Sequence, residues 1–174
     1  MARRKSLAFL DVGQGDCFVA DTKSGAIIFD GGSSSEDQVG RYRILPYMKY
    51  LGYQKIQIAV ISHMDIDHYS GIKELLEMGK IKYLGLPEIP KDATMKKIIG
   101  IAKKRGTTIF YLSRGRQITT KDGSLKVLHP QKNSQMEKNA ASLVMQGKIL
   151  GYRVLLTGCL LYTSDAADDM QCVD

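Results

Sequence analysis

Residues 63 to 68 read His63-Met64-Asp65-Ile66-Asp67-His68, which sets four side chains able to ligate metal within six positions. Neutral imidazole nitrogen together with hard carboxylate oxygen suits zinc, manganese or iron. Two such ions side by side can bridge and activate a water for attack on an ester or phosphodiester. Carboxylates crowded this closely repel one another unless a cation holds them, so a purely structural role is the poorer explanation. The chain has three histidines, and two of them fall here.

The flanking sequence predicts how the cluster is held. Residues 55–61 alternate and then fill with β-branched side chains, as a buried strand does, and 70–78 read as a short helix opened by Ser70. The ligands then lie on a strand-to-helix loop. In extended chain, residues two apart project to the same side, so His63, Asp65 and Asp67 are expected to share a face, with His68 turning away at the helix entry.

Upstream, apolar runs at 7–10, 17–20 and 26–29 with glycine-bearing turns between them predict an antiparallel meander. Residues 36–51 carry Val39, Tyr42, Leu45, Met48 and Leu51 near one helical face, with Pro46 as a kink or restart. Downstream, strands are expected at 81–84, 108–112, 125–128, 142–145 and 153–157, and a helix at 93–104.

With 174 residues, 44% of them hydrophobic, the chain suits one domain with a sizeable core, and no apolar run is long enough for a membrane segment. The apolar stretch after the basic N-terminus ends at Asp11, too early for a signal peptide, which makes the cytoplasm the default location. Cys17, Cys159 and Cys172 form no Cys-x-x-Cys pair, as expected in a reducing compartment. The net charge of +7 points to an anionic substrate, such as nucleic acid or another phosphodiester. The basic residues gather at 91–97, at 103–105 and at Arg114 and Arg116, with few aromatics among them, so no stacking platform for bases is evident.

The pattern His63-x-Asp65-x-Asp67-His68 resembles the metal motif of the metallo-β-lactamase fold in its ComEC-type, competence-protein-like version. Other stretches resemble that family in the same order. They are Leu10-Asp11-Val12-Gly13-Gln14-Gly15-Asp16, Ile28-Phe29-Asp30-Gly31-Gly32, the helix around Pro46, Val127-Leu128-His129-Pro130, Asn139-Ala140-Ala141-Ser142-Leu143-Val144 and Leu155-Leu156-Thr157-Gly158. The resemblance implies an α+β fold, a four-layer αββα sandwich. It implies a metal-dependent hydrolase, phosphodiesterase or nuclease-like, working through a metal-bridged hydroxide, with up to two divalent ions, zinc or manganese, in the complete protein. It makes His63, Asp65, Asp67 and His68 the metal ligands and gives Asp67 and Asp30 catalytic roles, Asp30 by orienting ligands. Asp11, Gln14, Asp16 and Asn139 would face the site, while His129, at a strand end before Pro130, is read as structural. The alternatives are hydrolysis of another ester, a lactone or thioester, and a non-catalytic fragment or pseudo-enzyme.

Two departures from the family pattern stand out. The family follows Leu-Thr-Gly with an aspartate that bridges the metals, whereas position 159 is Cys159. A thiolate is a good zinc ligand, but the inert reading of Cys159 is the default. Residues 160–174 contain four acidic residues and no Lys or Arg in an otherwise basic chain. The expectation is a partial domain over 1–158, truncated at its C-terminus, with 159–174 a non-native or disordered tail; a native acidic C-terminus is the rival.

Overall fold

The computed structural model describes residues 5–134 and 141–159. The meander is present as β1 (Ser6–Phe9), β2 (Phe18–Thr22) and β3 (Gly25–Phe29), antiparallel neighbours in that order. Three parallel strands extend the sheet from β3: β4 (Ile56–Val60), β5 (Ile81–Pro87) and β6 (Thr108–Leu112). A second, four-stranded sheet has the order β10-β9-β8-β7, built from β7 (Gln117–Thr120), β8 (Gly123–His129), β9 (Val144–Ile149) and β10 (Tyr152–Thr157).

Alternation along the first sheet decides what each of its faces meets. Val19, Ile28 and Ala59 pack with Ile44, Met48, Ile72, Leu75, Met95 and Ile98 of the helical layer. Their neighbours Phe18, Ala20, Ile27, Phe29 and Val60 face the opposite way, against Ile118, Leu125, Val127, Met145 and Leu156 of the second sheet. Each fully buried Ile or Leu in these layers contributes about 1.5–3 kcal/mol through its removal from water. The described residues thus form three layers of the expected αββα sandwich, namely helices, six-stranded sheet and four-stranded sheet.

The helical layer holds α1 (Leu45–Tyr50), α2 (Ile66–Glu77) and α3 (Ala93–Lys104). The start of α3 is set by Asp92, whose carboxylate accepts from the Met95 N–H at 2.7 Å. Two helix expectations need correction. The first helical segment does not begin at Glu36: a π-helical turn over Gly40–Ile44 leads directly into α1, with Pro46 in the first turn, where its missing N–H costs nothing. The other is α2, which begins at Ile66 rather than at Ser70, so Asp67 and His68 lie in its first turn. Ser70 does not cap that helix; its hydroxyl accepts from the Ser33 N–H at 2.9 Å. Strand β7 was not expected, because Gln117-Ile118-Thr119-Thr120 buries only Ile118 and carries almost no apolar pattern. Among the described residues no helix is long and apolar enough to cross a membrane.

Candidate metal centre

The parallel strands β3 to β6 all finish at one end of the sandwich, and the turn from β4 into α2 lies there. Asp65 occupies the helix N-cap position with extended backbone (φ −99°, ψ 146°), but its side chain makes no cap hydrogen bond. Its carboxylate stays outside the helix. The anticipated split of the ligands is also corrected. His68 does not turn away: its ring centroid is 4.1 Å from that of His63, and the carboxylates of Asp65 and Asp67 flank the two rings.

Both imidazoles are oriented from behind by Asp30. This residue follows β3 with φ 56°, in the left-handed region, and its N–H donates to Val60 O at 2.8 Å. Its buried carboxylate accepts from the Ser62 N–H at 2.7 Å, from the Ser62 hydroxyl at 2.7 Å and from His68 Nδ1 at 2.9 Å. The single hydroxyl proton of Ser62 is used on that carboxylate, so its oxygen, 2.9 Å from His63 Nδ1, accepts the proton of that nitrogen. In the neutral rings both Nδ1 atoms therefore carry hydrogen, and both Nε2 atoms present lone pairs.

Those lone pairs meet carboxylates at equal distances: His63 Nε2 to Asp65 Oδ2 is 3.4 Å, and His68 Nε2 to Asp67 Oδ2 is 3.4 Å. Two donors on one tetrahedral ion with bonds of about 2.0–2.1 Å stand about 3.3–3.4 Å apart. The residues present therefore fit divalent metal as two nitrogen–oxygen pairs, His63 with Asp65 and Asp67 with His68. Among the described residues no three His, Cys, Asp or Glu side chains close on a single point.

Burial lowers the His63 pKa below its ordinary value, and the neighbouring His68 lowers it further. Burial also acts against the His68 cation, but the Asp30 hydrogen bond and the charges of Asp30, Asp67 and Asp16 outweigh it, so the His68 pKa is raised. In metal-free protein His63 is expected to titrate below pH 6.5 and His68 above it. Long-range ¹H–¹⁵N spectra over a pH series measure both, and the reverse order would contradict this arrangement of the site.

The remaining candidates are unequal. Asp16 is exposed, with Oδ2 3.9 Å from His68 Nδ1, and its N–H reaches Asp67 O at 3.3 Å. Asp11 serves its own turn, accepting from the Gly13 N–H at 3.1 Å, and the Gln14 backbone is bonded to Ser34 and Ser35. Asn139 lies outside the described residues, as do residues 160–174 of the expected 159–174 tail. Cys159, just past β10, is half-buried and follows Gly158, which packs against Ser62, and burial followed by the charges of Asp65, Asp67 and Asp16 raises its thiol pKa. Cys17 packs into the core, and burial pushes its thiol pKa up as well.

Two features of the site escaped sequence reasoning. Ser62 is buried and links Asp30 to His63, yet a serine next to a histidine carries no distinctive signal. Gly15 and Gly32 let the loops after β1 and β3 press their backbones against the metal turn. A Cβ on Gly32 would lie 2.5 Å from Ile66 O and 2.8 Å from the Asp67 carbonyl carbon. Gly32→Ala is expected to displace that turn, costing about 1–3 kcal/mol of stability and weakening metal retention together. Thermal unfolding and metal analysis of the variant check both, and parent-like values would show that the turn yields without effect.

The model of the metallo-beta-lactamase superfamily matches residues 10–170. The chain is 30% identical over 169 residues to ComE operon protein 3 of Bacillus subtilis (strain 168), covering 87% of this chain and 21% of that protein. Among solved structures, a metallo-beta-lactamase with a HARLDQ motif from Cronobacter sakazakii is similar at TM-score 0.61 and 15% identity, over 87% of this chain and 58% of its own. The class B3 di-zinc metallo-beta-lactamase LRA-12 from an Alaskan soil metagenome is similar at TM-score 0.59 and 19% identity, over 90% of this chain and 61% of its own. The chain thus spans about a fifth of the length of the curated relative, and the structural likenesses bear on the fold alone.

Proposed function

The chain belongs to the metallo-beta-lactamase superfamily, a family of metal-dependent hydrolases, and from that footing we propose that it hydrolyses phosphodiesters with divalent metal held by His63, Asp65, Asp67 and His68. The observation that carries this reading is the chain of hydrogen bonds from Asp30 through Ser62 and His68, which fixes both imidazoles with Nε2 toward Asp65 and Asp67. Bound divalent ions supply the Lewis acidity that makes a water nucleophilic at neutral pH. The protein does the rest. Asp65 and Asp67 offset the charge of the ions, and Asp30 keeps the Nδ1 protons where they are, so the ring nitrogens facing the turn stay unprotonated. Beside Asp30 and Asp16 a recess of about 270 Å³, walled by Phe9, Phe18, Phe29 and Leu156, gives the organic part of a substrate a partly dry seat. The net charge of +7 favours a phosphodiester over an uncharged ester.

The test compares bis-p-nitrophenyl phosphate with lactone and thioester substrates in the presence of added zinc or manganese. Phosphodiester turnover that disappears with chelator is expected. Turnover of lactone or thioester alone would make the protein a different ester hydrolase, and metal bound without turnover of any of them would make it non-catalytic. Cys159→Asp would bring a further carboxylate beside Asp65 and Asp67, and metal retention is expected to rise; unchanged retention would leave residue 159 no part in the site.

A further inference from the structure

The end of the sandwich that carries the metal turn also carries a cationic rim. Next to β4 in the sheet, β5 finishes at Pro87, and next to that β6 finishes at Leu112. The loop after β8 is tied to both of these ends: the Arg114 N–H donates to Pro130 O at 2.7 Å, and the Asn133 N–H donates to Glu88 O at 2.9 Å. The loops after β5 and β6 and residues 130–134 after β8 therefore form one continuous edge. By ordinary strand spacing it begins roughly 5–10 Å from β4.

Lys91, Arg114, Arg116 and Lys132 are exposed along this edge. Among the described residues, two carboxylates lie on this edge, and both are engaged. Glu88 accepts from the Ser113 hydroxyl at 2.8 Å and faces Lys132 Nζ at 3.2 Å, while Asp92 caps α3. The turn bearing the two arginines is fixed by its backbone, with the Arg116 N–H on Ser113 O at 3.0 Å and the Gly115 N–H on Val127 O at 2.9 Å. Arg114 and Arg116 thus present two strong phosphate binders from a rigid support. A small phosphodiester engaged at the metal turn leaves such a rim unused. A chain of phosphates would meet it with the charges that flank the scissile one.

We infer that the Lys91–Arg114–Arg116–Lys132 rim seats the phosphate backbone of a nucleic-acid strand whose neighbouring phosphate is presented to the metal turn. The direction of the strand rests on the phosphodiesterase reading; the binding itself does not. Since the recognised chemistry is the sugar-phosphate backbone, single-stranded DNA, single-stranded RNA and duplex share it, and a direct comparison separates them.

The experiment uses the 174-residue chain in chelator, with labelled oligonucleotides of each kind, followed by fluorescence anisotropy over a salt series. Arg114→Ala with Arg116→Ala is expected to weaken binding of the preferred strand about tenfold at fixed salt. The slope of log affinity against log salt should become shallower by about 1.4 for a single strand, at about 0.7 for each phosphate no longer neutralised. Arg114→Lys with Arg116→Lys keeps the charges and should keep the slope, while bis-p-nitrophenyl phosphate turnover should not change in either double variant. Parent-like affinity in the double alanine variant overturns the inference, as does failure of the parent to bind any oligonucleotide. If the phosphodiesterase reading alone is wrong, the parent binds oligonucleotide with the expected slope and fails to cleave the aryl phosphate.

Discussion

Asp30→Asn is expected to weaken metal binding at least tenfold while leaving the protein folded. The carboxylate accepts three hydrogen bonds, from the Ser62 N–H, the Ser62 hydroxyl and His68 Nδ1. An asparagine of nearly the same volume can keep the first of these through its carbonyl oxygen. Its NH₂ group then falls where the other two donors point, and a donor cannot accept. Ser62 and His68 must both give way. Neutral His68 escapes by moving its proton to Nε2, the nitrogen that faces Asp67. Groups that only orient a metal-ligating histidine typically account for about 10–100-fold in affinity, and this one holds both rings. Leaving buried donors unmatched costs about 1–3 kcal/mol each, which a domain stable by about 5–15 kcal/mol can survive. Metal competition titrations with thermal unfolding decide it. A variant with parent-like affinity would show that the rings are held by packing instead.

Asp67→Ala separates metal binding from stability more completely. The Asp67 side chain is 38% exposed in the first turn of α2, and no core contact depends on it. Loss of a carboxylate near a helix N-terminus costs about 0.3–1 kcal/mol, and relief from the neighbouring acids offsets part of that. Loss of a direct ligand should exceed the effect typical of orienting groups, so the expected fall in metal affinity is more than about 100-fold with the unfolding midpoint of metal-free protein nearly unchanged. His68→Ala is not an equivalent test. That ring is buried against Asp30, and its removal takes one of three hydrogen-bond donors from a buried carboxylate as well as a proposed ligand. Metal content equal to the parent in Asp67→Ala would remove Asp67 from the ligand set.

What could be read from the sequence follows the physics of each signal. Strands β2 to β5 were legible because they are rich in apolar side chains and lie largely buried between two layers, and α3 was legible over 93–104, where Asp92 caps its start. The cluster of two histidines and two aspartates was legible because its residues are nearly consecutive. Where α2 begins was not. Asp65-Ile66-Asp67-His68 has low intrinsic helix propensity, and the helix starts there because the loops of Gly15 and Gly32 hold the turn by backbone contact, including the Asp16 N–H on Asp67 O. The pairing of His63 with Asp65 and of Asp67 with His68 depends on that early start. The role of Ser62 was hidden for another reason: it depends on contact with Asp30, 32 positions away in the chain.

Asp30 and His68 stand 38 positions apart along the chain, and that separation bears on how the protein comes by its metal. The donor atoms are local and available to the unfolded polypeptide, but the tautomer and aim of the rings are set by a residue just past β3. Closing that loop requires β3 and β4 to pair in parallel, a slow, non-local event in folding. An ion met before then finds flexible, competing donors, whereas one met afterwards finds prearranged ones. Differential affinity of this kind adds to the stability of the native state and little to that of the unfolded one. An ion held there as proposed would therefore favour the correctly paired sheet, because a chain that has mispaired it carries the same six-residue motif without the ring orientation that Asp30 supplies.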